Sequence, residues 1–203
     1  MSHFVGLVFG SDVDNLLAPY DENEQVAEHI EFTKEEAIAK VKSEHLENFE
    51  YMRDSLEKGD LDGWEKEYYS KRVELGPFLT ADQAWEFCKD WGYEIDEDEN
   101  LISTYNPESK WDWYEMGGRW SGFLKLKIGD VTNQAHFSEI DWESTKLPYC
   151  FITNEGEWNE RGEMGWFGVS TNEVDKDIWE QQFKQFLSEQ DPDEIVTVID
   201  FHI

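Results

Sequence analysis

Basic side chains, cysteine and long apolar runs are all in short supply in this chain of 203 residues. Lys and Arg total 17 against 47 Asp and Glu, a formal net charge of −30 that runs through both halves of the sequence. Direct binding to duplex nucleic acid is disfavoured, because that contact needs Lys and Arg to displace counterions from phosphate. A basic partner protein, met quickly and in a salt-sensitive way, is favoured instead. Charge kept only for solubility is the plainer alternative. The two Cys, Cys88 and Cys150, have no metal-type spacing; Cys88, close to Phe87 and Trp91, reads as a buried thiol. Cytosolic life is the simplest reading of such sparse cysteine. No stretch approaches the roughly 18 apolar residues of a membrane span. The opening MSHFVGLVFGSD lacks the basic flank and apolar length of a signal peptide. Walker-type loops, zinc spacings, GxSxG elbows and Rossmann glycine fingerprints are missing as well, so no standard enzyme is indicated.

Rings are abundant by contrast. Aromatics make up 15% of the chain, with ten Trp, although hydrophobic residues are only 39%. Each ring buries a large area, so the expectation is a globular core built from aromatics rather than a disordered acidic chain.

The pattern along the chain predicts an α+β fold. HFVGLVF (3–9) and IVTVIDFHI (195–203) read as strands apolar on both faces, hence central in a mainly antiparallel sheet. If they lie side by side, His3 meets His202. Thr33 with Glu36, and Thr80 with Gln83, form capping boxes that open helices. The stripe Ile38, Val41, Leu46, Phe49, Met52 and Leu56 marks one helix face. A single domain with a helical insertion at about 30–92 is expected, with helices packed on the sheet. ISTY, WDWYEM, RWSGFLKLKI, PYCFITN and MGWFGV read as strands. A last helix starts near Thr171 or Asn172 and buries Ile178, Trp179, Phe183, Phe186 and Leu187. The acidic run EIDEDEN offers Asp96, Asp98 and Asn100 in alternation, but without a central Gly or closing Glu it reads as a solvated loop rather than a calcium site. No metal site and no cofactor are assigned.

Several phrases resemble a family of uncharacterised bacteriophage and prophage proteins: MSHF, LAPYDEN, NPxxKWDWYxxGGRWSG, GEWxERGEMGWFG and a final IDFHI. The resemblance covers both ends and most of residues 106–168, and little of 24–100. It implies a phage origin, the cytoplasm of a host cell, and no established reaction. Such relatives often carry Cys before the last His, where this chain has Phe201.

Candidate ligand-binding residues follow from these phrases. Strand alternation places Trp111 and Trp113 on one face with Asp112 opposite. Gly117 and Gly118 allow a tight reversal with positive φ. Arg119 then emerges beside Trp120, where a guanidinium can stack on an indole and offer donors to an anion. Arg161, with Trp166 nearby, repeats the arrangement and suggests a shared pocket; the chain has four Arg in all. The competing view is a structural Arg119 paired with Asp112 or Glu115 while the Trp fill the core. Tyr20 and Glu22, in a loop of the family-like phrase LAPYDEN, join the candidates. No catalytic set is assigned: His3, Asp200 and His202 are the candidates for acid–base work, with Asp200 orienting His202 along one strand. Phosphoesterases that cut cyclic nucleotides with paired His strands carry a Thr two residues after each His. That pattern is absent here, where Val5 stands two residues after His3 and only Ile203 follows His202, and a structural His pair is the simpler reading.

Three functions are carried forward. The first is an acidic interaction protein that inhibits a host antiviral defence protein by mimicking DNA at its basic surface. The second is a binder of a nucleotide-like ligand, or a minor enzyme, using an Arg/Trp pocket. The third is an accessory phage protein whose motifs serve folding alone.

Overall fold

The computed structural model describes residues 2–59, 61–165 and 169–203. The chain divides into two compact units, Met1–Gln25 with Tyr105–Ile203, and Val26–Thr104 between them. The inserted unit is therefore wider than the helical stretch the pattern marks out, and it carries strands of its own.

Both terminal strands are central, as their two-sided apolarity predicts. Strand β1 (His3–Phe9) is followed by a short helix α1 (Val13–Leu17), capped by the Asp12 carboxylate on the Asn15 amide. The inserted unit then holds β2 (His29–Phe32), α2 (Lys34–Lys58), α3 (Gly63–Glu74), α4 (Ala81–Lys89), β3 (Glu94–Ile95) and β4 (Leu101–Ser103). Both capping boxes form, at Thr33 with Glu36 and at Thr80 with Gln83. Gly59, in the left-handed region at φ 73°, ends α2. The buried stripe of α2 is Ala37, Val41, His45, Phe49 and Met52, not the expected set, and Leu46 is 48% exposed. His45 takes the inward position because its Nε2 reaches the carbonyl of Gly76 at 2.8 Å. Asp96 is spent on its own turn, accepting from the amides of Asp98 and Asn100.

After the insertion come β5 (Trp113–Met116), β6 (Leu124–Lys125), β7 (Val131–Thr132), β8 (Gln134–His136), β9 (Cys150–Ile152), β10 (Trp158–Glu160), β11 (Glu163–Met164), β12 (Ser170–Thr171), α5 (Lys176–Leu187) and β13 (Ile195–His202). The main sheet runs β10-β9-β1-β13-β5, with β8 also paired to β13. All its pairs are antiparallel except β1 with β9. The fold is thus α+β on a mainly antiparallel sheet that contains both terminal strands. RWSG does not continue a strand: Gly118–Trp120 forms a 3-10 turn, and FLKLKI forms a strand over Leu124–Lys125 with one further bridge from Leu126 to Ile140. Of MGWFGV, residues 166–168 lie outside the described residues. The final helix starts later than expected, capped by Asp175 on the Asp177 amide, and leaves Ile178 52% exposed.

The sheet buries a different cluster on each face. Val5, Leu7, Phe9, Phe151, Val196 and Val198 lie under Trp179 and Phe183 of α5. Phe4, Val8, Cys150, Ile152, Ile199 and Phe201 pack with Leu17 of α1 and with Trp111. Burying each of these large side chains stabilises the fold by about 1.5–3 kcal/mol. No helix among the described residues is long and apolar enough to cross a membrane.

Candidate functional site

The register of the terminal strands makes the site. His3 opens β1, His202 closes β13, and antiparallel pairing sets them opposite one another. Their rings stand edge to face with centroids 4.9 Å apart. Side chains alternate across a strand, so Asp200 shares the face of His202. It does not orient His202, however. Asp200 Oδ1 meets the Nδ1 of His3 at 3.0 Å, across the strand pair. His202 Nδ1 instead meets Asp112 Oδ1 at 2.5 Å, just ahead of β5, while the Asp112 amide donates to the His202 carbonyl. Each imidazole therefore has a carboxylate of its own.

Trp113, paired in register with His202, stacks on its ring at 4.8 Å and 16° and stands edge-on to His3. Glu115 lies directly opposite Asp200. Like charges so placed on a sheet are destabilising. Asp200 is 1% exposed and both its oxygens are occupied, Oδ2 accepting from the Arg119 amide at 2.9 Å. A carboxylate removed from water requires such partners. The double glycine explains how the turn gets there. Gly117 and Gly118 have φ of 74° and 43°, and a Cβ on Gly118 would sit 2.5 Å from Asp200 Oδ2. Only a residue without a side chain lets the backbone close on that carboxylate.

His3, Trp113, Glu115, Gly118, Arg119, Asp200 and His202 line an open cavity of about 470 Å³. With Nδ1 facing a carboxylate, Nε2 is the other nitrogen of each ring. His202 Nε2 is buried without a hydrogen-bond partner among the described residues. Arg119 is exposed and, among the described residues, has no carboxylate in ion-pairing range and no ring beneath it. The other three Arg are engaged: Arg53 with Glu50 and Asp54, Arg161 with Glu173 at 2.8 Å, and Arg72 over the rings of Phe87 and Tyr68.

The remaining candidates are placed elsewhere. Among the described residues, Arg161 pairs with Glu173 and does not line the cavity that Arg119 lines. Trp111 and Trp113 do not share a face. Trp111 precedes the strand, is 7% exposed and packs with Phe4 and Phe201, edge-on to Tyr114, on the opposite side of the sheet. Trp120 packs against the cluster under α5 and does not stack with Arg119. Tyr20 donates to the Gly156 carbonyl and accepts from the Trp158 amide. Glu22 enters through its amide, which donates to the Trp111 carbonyl. Trp166 lies outside the described residues. Asp112 and Glu115 entered the sequence reading only as partners for Arg119, and Gly118 only as a turn residue, yet all three belong to the site. Period-two alternation from Trp113 points to Glu115, but nothing local points to Asp112, whose partner is 90 residues away. No protein-family model, curated protein or solved structure matches the chain.

Proposed function

We propose that the protein binds a small phosphate-bearing ligand of nucleotide type in the cavity between Trp113 and Arg119. The carrying observation is Arg119: in a chain so short of cations, the one guanidinium with no carboxylate or ring partner among the described residues lines the cavity that holds the paired imidazoles. Its planar fork suits phosphate oxygens. The exposed indole of Trp113 offers a surface for a flat base. The test is titration with nucleoside monophosphates, cyclic nucleotides and unphosphorylated nucleosides, read by tryptophan fluorescence. Phosphorylated ligands should bind and nucleosides should not. Arg119→Ala should weaken binding about 10–100-fold, the worth of a charged hydrogen bond. A panel in which nothing binds sinks the reading.

A second reading rests on the inserted unit, where Trp64 is 73% and Tyr51 65% exposed on acid-rich helices. Exposed aromatics among carboxylates suit a protein partner with a basic surface. In this reading a phage-encoded chain occupies the nucleic-acid-binding face of a host defence protein. Its complex should be captured from host lysate at low salt and be lost as salt rises; a lysate that yields no partner at low salt counts against it.

A further inference from the structure

Two features of the cavity exceed what ligand binding alone requires. A pocket that only grips an anion needs donors, yet here each imidazole has its Nδ1 held by a separate carboxylate, Asp200 for His3 and Asp112 for His202. The unpartnered Nε2 of His202 does not by itself mark a site, since the Nδ1 of the structural His45 is buried and unpartnered among the described residues too. The two rings are also neighbours, 4.9 Å between centroids, and both line the cavity. Two oriented imidazoles side by side are what a reaction needs when one proton must be removed and another delivered. We infer that the site hydrolyses a phosphodiester of a small nucleotide, with His3 and His202 as the acid–base pair. This rests on the binding reading above and names its substrate class.

The step balances without a further reactant. A water oxygen attacks phosphorus while the neutral imidazole takes its proton. The bond from phosphorus to the leaving oxygen breaks, and the second ring, as imidazolium, gives its proton to that oxygen. A phosphomonoester and a free hydroxyl result, and the two rings have exchanged protonation states. Arg119 steadies the non-bridging oxygens, where charge builds in the transition state. The overall charge restricts substrate size. A chain at −30 repels a polyanion, while a cyclic mononucleotide or a dinucleotide brings only one diester charge to the site.

The experiment incubates the whole protein with 2′,3′-cyclic and 3′,5′-cyclic mononucleotides and with dinucleotides, and follows products by phosphorus NMR. Expected is conversion of at least one of these diesters to a monoester, with a bell-shaped dependence of rate on pH. His3→Gln and His202→Gln should each lower kcat by about 10²–10⁴-fold while ligand affinity stays within about threefold. Asp112→Asn, a positioning change, should displace one limb of the pH profile. Diester that binds but is never cleaved overturns the inference and leaves the binding reading standing; a panel with no binding removes both. Turnover that survives in both His variants also overturns it. Should a His variant melt early, the wild-type profile decides: two limbs support the pair, and a flat profile overturns it.

Discussion

Along β1 and β13 the same sheet face is built in two ways. Val5, Leu7, Phe9, Val196 and Val198 lie closed beneath Trp179 and Phe183. Toward the other end of those strands, the face carries His3, Asp200 and His202, and no residue of α5 lines the cavity they border. The contrast shows what a central strand tolerates. Polar side chains are admitted where the covering helix stops, provided the buried atoms find partners. Asp200 and both Nδ1 atoms comply. His202 Nε2 does not, and neither do Trp120 Nε1 and Trp142 Nε1 beside the covered cluster, so it is the pairing of two imidazoles with two carboxylates that sets the open end apart.

The sharpest way to break the comparison is in the covered half. Phe151 touches the rings of Phe9, Trp179, Phe183 and Phe186. Phe151→Ala should cost about 3–5 kcal/mol by urea unfolding, without changing ligand affinity of the folded protein. A loss below about 1 kcal/mol would show that the aromatic cluster is not what holds the sheet. In the open half, Asp200→Ala strands the His3 Nδ1 and the Arg119 amide, and should cost about 1.5–3 kcal/mol together with ligand binding. Binding that persists in this variant would separate the turn from the site. Gly118→Ala forces a side chain into the left-handed region against Asp200, a loss of about 1–2 kcal/mol by thermal melting with weaker binding.

The smallest effect concerns pH. Burial raises the pKa of the Cys150 thiol and of the Tyr149 hydroxyl. Below about pH 8.5 these groups are protonated in both the folded and the unfolded chain, and their contribution to stability is complete. As pH rises further the unfolded chain releases protons that the folded one keeps, so stability falls. Urea midpoints at pH 7 and pH 10 check this, and a midpoint that rises at pH 10 contradicts it.

Local signals were legible where local physics decides the outcome. Thr33 and Thr80 cap their helices because a hydroxyl and a side chain three residues on satisfy amides nearby. Gly117 and Gly118 were readable as a positive-φ turn, and both terminal strands as central, from their apolarity on two faces. The site was legible only in fragments. Trp111 and Trp113 looked equivalent by alternation, but the strand begins at Trp113, so the period does not reach back to Trp111. Arg119 and Arg161 looked alike beside Gly and Trp, and only one of them meets a carboxylate.

The amino-acid order alone settled the class of fold, the caps and the turn, and it raised the meeting of His3 with His202 that the strand pairing then supplied. Each of those follows from neighbours in the chain or from which faces of a strand must leave water. Tertiary structure decided which carboxylate serves which imidazole, which arginine has no carboxylate among the described residues, and where the covering helix ends. Those depend on side chains up to 197 residues apart converging on a few ångströms, and no local period encodes that distance.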